Sequence, residues 1–393
     1  MATKSGTLDI TKRHFGNRKE PLYKSRVGSL TFLHTITLHN QNDITVMNYK
    51  ISVTPRVFHF KRPATTSRGA YTSRLSWMVE ISDADHPERK GIGECAPLPD
   101  LSCDAIKDYG GTLRSICDMI EATGRINLDT LRPYPSMCLG IETALLDMEN
   151  GGKGIIFDSP FTRGETGIVI NGLVWMGSYD EMAERIEEKR QAGFRCIKLK
   201  IGAIDFEREL QLIRQIRSDF PKESIELRVD ANGGFSFEEA PRVLDTLAKY
   251  DIHSIEQPIR QRQWRQMAEL CRISDVPIAL DEELIGVNIP DMKRSLADTI
   301  KPSYLVLKPS LHGGFKGCRE WIAIAQERGI GSWVTSALES NIGLNAVAQF
   351  AADVYGASPS MPQGLGTGML FTDNIDMPLA IKGDRLWRTV GRQ

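Results

Sequence analysis

Residues 195–232, RCIKLKIGAIDFERELQLIRQIRSDFPKESIELRVDAN, contain the pattern that decides the fold. Two short apolar runs, RCIKLKIG and IELRVDAN, flank a segment with helical periodicity, and this order is typical of two parallel strands joined by a crossover helix. Lys198 and Lys200 lie two residues apart in the first run, so both side chains point to the same side of the strand. An exposed edge strand would tolerate them, whereas a buried strand would need opposite charges nearby.

The alternation of short apolar runs and helical segments continues from about residue 167 onward. Eight such runs predict an α/β fold with a parallel (β/α)8-type barrel in a modified, (β/α)7β-like form; the eighth run, PQGLGTG, is short and weak, and an open parallel sheet is the alternative. In such barrels the chemistry lies at the carboxyl ends of the strands. Six consecutive runs end in or near a polar residue that would face this mouth: Lys200, Asp230, Glu256, Asp281, Lys308 and Ser336.

The rest of the chain does not follow this alternation. Strand-like runs followed by helical ones predict that residues 47–158 form an α+β capping domain, completed by residues 371–393. The catalytic barrel is then expected over residues 159–370. Residues 1–46 are basic, polar and poor in apolar periodicity, which predicts a poorly ordered N-terminal extension or a natural start at Met47.

The composition excludes several classes of partner. The chain has 393 residues and a net charge of −1, so it offers no basic excess for nucleic acid. No apolar run is long enough to span a membrane. The seven cysteines are scattered without a CxxC pair, which favours reduced thiols in a cytoplasmic enzyme over a disulfide framework. No oligomeric state follows from the sequence.

Three acidic residues, Asp230, Glu256 and Asp281, each follow an apolar run on successive predicted strands. Each aspartate alone could be a helix cap or a turn former. Together the three carboxylates would repel one another unless a cation joined them, and oxygen ligands without metal-spaced His or Cys favour Mg²⁺, with Mn²⁺ as a substitute. A metal between lysines suits removal of a proton α to a carboxylate, and Lys198 is expected to make Lys200 a usable base. We therefore expect an enzyme that acts on a small-molecule carboxylate.

Six motifs, KLK, RVDAN, IEQP, LDEEL, LKPS and SALESNIGL, resemble the barrel signatures of the enolase superfamily in its muconate-cycloisomerase-like branch. The resemblance runs from about Tyr49 to the C-terminus. It implies that the three acidic residues bind Mg²⁺ and that Lys200 acts as base and then as acid. It also implies that Lys308 stabilises an enediolate and that Lys198 tunes Lys200.

The resemblance also assigns residues around these groups. It implies that Arg228 and Asn232 support the first metal ligand, and that the segments 64–74 and 96–104 close over the substrate unless they are plain surface loops. The expected substrate contacts are Ser336, Ser340, Asn341 and Arg68, although serine in such loops is also ordinary turn chemistry.

Within the branch, TSALESNIGLNAVAQF and PQGLGTGMLF resemble the members that dehydrate 2-succinyl-6-hydroxy-2,4-cyclohexadiene-1-carboxylate to o-succinylbenzoate in menaquinone biosynthesis. The dipeptide epimerases of the branch carry an Asp-x-Asp pair near the eighth strand, and GLGTGMLFTDN lacks it. Racemisation of an N-acylamino acid, or another 1,1-proton transfer, would need the same metal and lysines and is the alternative activity. A non-catalytic binding barrel would be recognised by a missing metal ligand or a missing Lys200, and all are present.

Overall fold

The computed structural model describes residues 47–66, 69–175, 177–202, 205–356, 359 and 361–389. The predicted N-terminal extension, residues 1–46, and the predicted substrate contact Arg68 lie outside the described residues. Among the helices of the described ranges, none is both long enough and apolar enough to cross a membrane.

An antiparallel three-stranded sheet begins the described chain. Its strands lie side by side in chain order: β1 (Tyr49–Thr66), β2 (Gly69–Asp83) and β3 (Lys90–Cys95). Two helices enclose an apolar core with it: α1 (Tyr109–Thr123) and α2 (Pro135–Glu149). Glycine is required where α2 crosses β3, because a Cβ on Gly93 would lie 1.9 Å from the carbonyl oxygen of Gly140.

Seven parallel strands form the second sheet, which we call the barrel sheet. They lie in chain order: β5 (Gly172–Val174), β6 (Cys196–Lys200), β7 (Glu226–Asp230), β8 (Ser254–Glu256), β9 (Ile278–Leu280), β10 (Tyr304–Leu307) and β11 (Gly331–Val334). Helices alternate with the strands: α3 (Tyr179–Gln191), α4 (Phe206–Asp219), α5 (Ala240–Leu247), α6 (Trp264–Ile273), α7 (Pro290–Ile300), α8 (Gly314–Glu327) and α9 (Asn341–Tyr355). Apolar side chains of both layers form one large core.

Two residues of the predicted eighth strand join the edges of the barrel sheet. Gln363 forms a parallel bridge to Ile170, and Gly364 forms a parallel bridge to Thr335. The N–H of Gly364 also donates to the carbonyl oxygen of Val334 at 2.8 Å. The predicted α/β barrel with a capping domain is therefore confirmed, with the eighth strand reduced to a pair of bridges.

The run 167–175, predicted as one strand, is divided in the structure. Its first part, β4 (Ile168–Val169), pairs with β13 (Arg385–Arg388), which forms an antiparallel hairpin with β12 (Leu379–Lys382). Only the second part, β5, pairs with β6. The single-strand prediction was wrong because the partner of the first part comes from the far end of the chain, which local periodicity does not report.

The C-terminal segment contacts the antiparallel sheet and forms a third, small sheet with β4. Phe371 bridges Phe60 of β1, whereas β12 and β13 continue the small sheet that contains β4. The domain boundaries expected from the sequence, including completion of the capping domain by residues 371–393, stay a prediction.

Candidate active site

The predicted lysines and carboxylates meet at the carboxyl end of the barrel sheet. In β6, Ile197 and Leu199 join the apolar core against the helices, so Lys198 and Lys200 face the barrel interior. The strand register places Lys200 beside Asp230 of the next strand. The other predicted groups lie at the ends of the next three strands. Glu256 is the last residue of β8, Asp281 directly follows β9, and Lys308 directly follows β10.

The two lysines of β6 are paired with two carboxylates. Lys198 Nζ lies 2.6 Å from Glu256 Oε2 and 2.9 Å from Asp230 Oδ2, and Lys200 Nζ lies 3.2 Å from the same Asp230 oxygen. Burial raises the pKa of Asp230, but the two ammonium groups outweigh it and hold that pKa below its usual range. Burial lowers the pKa of Lys198, yet the carboxylates of Asp230 and Glu256 outweigh it and the pKa is raised. A buried strand therefore carries two lysines because acids of the neighbouring strands balance them.

A second ion pair lies on the other side of these carboxylates. Lys308 Nζ contacts Asp281 Oδ2, and both pKa values follow from this contact. Burial opposes both charges, but the pair holds the pKa of Asp281 below its usual value and raises that of Lys308. Because β7, β8 and β9 lie between β6 and β10, Lys200 and Lys308 approach the carboxylates from opposite sides.

Two carboxylate oxygens of this cluster fit a cation. Glu256 Oε1 and Asp281 Oδ1 are buried and have no hydrogen-bond partner. Burial, followed by the charge of Asp230, raises the pKa of Glu256 to about 8. A hard cation would satisfy these oxygens and remove the repulsion. In the described ranges, no group of three or more His, Cys, Asp or Glu side chains has the arrangement of a metal site. The ammonium groups of Lys198 and Lys308 lie against the carboxylates of Glu256 and Asp281 instead.

The two residues predicted to support Asp230 differ in position. Asn232 is next to the site: its Oδ1 accepts from Lys200 Nζ at 2.5 Å, and its N–H donates to Asp230 Oδ1 at 3.1 Å. Arg228 lies one layer deeper, where it donates to Glu226 at 2.7 Å and stacks 4.3 Å above the ring of Trp333. The strand register explains this difference, since Arg228 pairs with Lys198 and lies two residues before the end of β7.

Of the predicted substrate contacts that the structure describes, Ser336 alone lines the cavity above the site. Its Oγ donates to Glu339 at 2.7 Å and accepts from Thr367 Oγ1 at 2.8 Å. Ser340 and Asn341 lie outside the cavity lining, because they begin α9 and bind the antiparallel sheet and the C-terminal segment instead. Substrate contact by these two residues stays a prediction.

The cavity has a charged floor and an apolar wall. It encloses about 910 Å³ of space when the open solvent at its mouth is included. Both segments predicted to close over the substrate contribute to the wall, although residues 64–66 and 69–74 belong to β1 and β2 and do not form a loop. The large apolar side chains of the lining belong to Tyr71, Leu98, Leu101, Leu173, Trp175 and Leu338.

Sequence reasoning missed Glu282, which lines the cavity immediately after Asp281. Its Oε1 accepts from Asn232 Nδ2 at 3.1 Å, so the carboxylate is connected through Asn232 to Lys200. Burial, followed by the charge of Asp281, raises the pKa of Glu282 to about 7. The run of three acids in LDEEL was the available signal, but periodicity does not show that Glu282 faces the site together with Asp281.

Comparison with known proteins agrees with this architecture. Residues 181–378 match the family model described as "Enolase C-terminal domain-like". The chain is 44% identical over 358 residues to the o-succinylbenzoate synthase of Desulfotalea psychrophila (strain LSv54 / DSM 12343), a match covering 83% of this chain and 95% of that relative.

Solved structures extend the comparison to the fold. The crystal structure of MenC from Desulfotalea psychrophila LSv54 covers 86% of this chain and 99% of its own, with 40% identity and a TM-score of 0.73. A dipeptide epimerase from Enterococcus faecalis, solved with Mg and the dipeptide L-Leu-L-Tyr, shares the fold with a TM-score of 0.73 and 19% identity, over 88% of this chain and 98% of that one. From the family match and the near-full-length relative, the chain belongs to the enolase superfamily.

Proposed function

We propose that the protein is a Mg²⁺-dependent o-succinylbenzoate synthase that dehydrates 2-succinyl-6-hydroxy-2,4-cyclohexadiene-1-carboxylate in menaquinone biosynthesis. The observation that carries the proposal is the 44% identity over nearly the whole length of a relative of that name. The site supports it, because Lys200 and Lys308 approach one carboxylate cluster from opposite sides beneath an apolar wall.

Asp230, Glu256 and Asp281 would hold the Mg²⁺, and Mn²⁺ would be an acceptable substitute. When bound, the cation neutralises the carboxylates and stabilises the negative charge that develops on the substrate. Enolase-superfamily enzymes use Mg²⁺, and the dipeptide epimerase structure named above contains Mg. The unpartnered oxygens of Glu256 and Asp281 are the feature of this chain that fits the cation.

Lys200 is proposed to carry both proton transfers. A neutral amine has two N–H groups and one lone pair. Lys200 can therefore keep its hydrogen bonds to Asp230 and Asn232 while the lone pair takes the α-proton. The electron pair of the broken C–H bond forms the enediolate, which then expels the ring hydroxyl. Lys200 returns the proton to that hydroxyl, so that water leaves and the ring becomes aromatic.

The two other lysines are proposed to supply charge. Lys308 presents an ammonium group to the developing enediolate from the opposite side, and pre-arranged charge of this kind is worth a few kcal/mol in general. Lys198 bridges Asp230 and Glu256 and tunes Lys200. The apolar wall would hold the cyclohexadiene ring. We also infer a cytoplasmic location, because all seven cysteines are unpaired.

Racemisation of N-acylamino acids is the second candidate, because a 1,1-proton transfer needs an acid–base group on each face and both lysines are in place. The two reactions make different demands on Lys308. Dehydration needs only its charge, whereas racemisation needs it to exchange a proton, which the guanidinium of arginine does not do.

The test is an absorbance assay of cyclohexadiene loss, run with Mg²⁺ and with chelator, beside solvent-deuterium uptake by N-succinyl amino acids. We expect chelator and Lys200→Ala each to abolish dehydration, whereas Lys308→Arg keeps part of it and loses any racemisation. Lys222→Ala, at an exposed ion pair, is the control and should match the wild type. Full turnover in chelator would overturn the metal assignment, and a wild type that racemises but never dehydrates would favour the second candidate.

A further inference from the structure

His312, a buried residue that the proposed mechanism does not use, binds the backbone of Lys308 on both sides. The N–H of Lys308 donates to the ring Nδ1 of His312 at 2.9 Å. The main-chain N–H of His312 donates in turn to the carbonyl oxygen of Lys308 at 3.0 Å. His312 thus contacts both polar backbone groups of Lys308, and the carbonyl oxygen also accepts from the N–H of Leu311 at 2.8 Å.

The ring is held in one neutral tautomer. Because Nδ1 accepts a hydrogen bond, the single ring proton lies on Nε2. Burial lowers the pKa of His312 to about 3, so the ring stays uncharged at ordinary pH. Nε2 is buried and has no hydrogen-bond partner. An unpaired buried donor destabilises a fold, so an apolar side chain would suit the position better unless the Nδ1 acceptor were needed.

The backbone that follows His312 is held in place by its packing at the start of α8. Gly313 and Gly314 follow in left-handed conformations, with φ of 92° and 68°, and lead directly into α8. The first turn of α8 is held by Glu142, whose Oε2 accepts from the N–H of Phe315 at 2.6 Å. A Cβ on Gly317 would lie 2.2 Å from the carbonyl oxygen of His312, so the helix also packs closely against this residue. The imidazole therefore has little freedom to move away from Lys308.

We propose that His312 is a positioning residue for Lys308: by holding both of its peptide groups, it sets the direction of Cβ and so places the ammonium group against Asp281. The inference rests on the proposed function in that Lys308 is taken to stabilise the enediolate. The lysine stem has four methylene groups, so a small rotation at Cα becomes a larger displacement at Nζ. A displacement of about 1 Å at a catalytic group can lower a rate by roughly a hundredfold.

Two substitutions at His312 distinguish the role of the Nδ1 acceptor from the role of the side-chain volume. His312→Leu removes Nδ1 and retains a side chain of similar bulk. His312→Asn places an amide oxygen on Cγ, where Nδ1 is attached, and so retains an acceptor. We expect His312→Leu to lower kcat for dehydration about tenfold to a hundredfold with KM changed less than threefold, and His312→Asn to recover most of the loss.

A positioning role also predicts non-additivity with Lys308. In a Lys308→Ala background, His312→Leu should lower kcat less than twofold further, because no ammonium group remains to be placed. An equal loss in both backgrounds, or a His312→Leu variant with wild-type kcat, would overturn the proposal.

The position of the Lys308 ammonium group can be measured independently of the reaction that the enzyme catalyses. If the wild type does not dehydrate the cyclohexadiene, the proposed function fails, and crystal structures of the wild type and His312→Leu then decide the inference. A Lys308 ammonium group displaced from Asp281 only in the variant would support it. An unchanged Lys308–Asp281 contact in both structures would refute it.

Discussion

Replacing Glu94 by alanine removes the carboxylate that connects the antiparallel sheet to the barrel helices. Glu94 belongs to β3 and is only 1% exposed to solvent. Its Oε1 accepts from Ser76 Oγ at 2.8 Å and from the N–H of Ser340 at 3.0 Å. Its Oε2 accepts from Ser340 Oγ at 2.5 Å and from the N–H of Gly343 at 3.1 Å. The carboxylate therefore caps the first turn of α9, the helix that follows the cavity-lining segment 336–338.

The expected loss of stability follows from the N–H donors that Glu94→Ala leaves without an acceptor. The two serine hydroxyls can rotate toward other acceptors, but the N–H groups of Ser340 and Gly343 are fixed by the backbone. A buried, unpaired N–H costs about 1–3 kcal/mol, so Glu94→Ala should lower the free energy of unfolding by about 4 kcal/mol. Glu94→Gln keeps one acceptor oxygen and should lose about 2 kcal/mol by the same reasoning.

The assay is urea unfolding followed by tryptophan fluorescence and circular dichroism. Glu80→Ala is the matched control, because Glu80 lies in the same sheet at 44% exposure and pairs only loosely with Lys90 at 3.4 Å. That substitution should change the free energy of unfolding by less than about 1 kcal/mol. A loss below about 1 kcal/mol for Glu94→Ala, or an equal loss for the control, would refute the reasoning that the cap stabilises this junction.

Three further expectations concern stability. Burial raises the pKa of Asp104 from 3.8 to about 6, so the folded state binds this proton more tightly than the unfolded state, and the contribution of Asp104 to stability should fall by roughly 2 kcal/mol as pH rises from 4 to 7. Asp104→Asn should reduce the pH dependence of the urea midpoint by this amount, and an unchanged slope would contradict the assignment. Gly93→Ala should lower the free energy of unfolding by about 4 kcal/mol or more, because a methyl group has no room beside Gly140. A near-native urea midpoint for this variant would contradict that expectation. Deletion of residues 1–46 should leave melting temperature and turnover unchanged, since their sequence offers no apolar face; a fall of several degrees would show that they pack on the body.

The barrel and the composition of its charged mouth could be read from the chain alone. Polar residues recur at the ends of apolar runs once in each strand–helix unit, and the carboxyl ends of parallel strands share one edge. This recurrence alone indicates Lys200, Asp230, Glu256, Asp281 and Lys308 as residues of the mouth. The residue types then favoured a hard cation and a lysine base, since ligand chemistry depends on the donor atoms present.

Contacts between distant parts of the chain were decided only by the tertiary structure. Glu94 and Ser340 are 246 positions apart, and nothing in either local pattern shows that one caps the helix begun by the other. The same holds for β4, whose pairing with β13 divided a run that alternation alone reads as one strand. Local periodicity determines toward which face a side chain points. Which partner it finds there depends on how the sheets and helices pack, and that packing is a property of the whole chain.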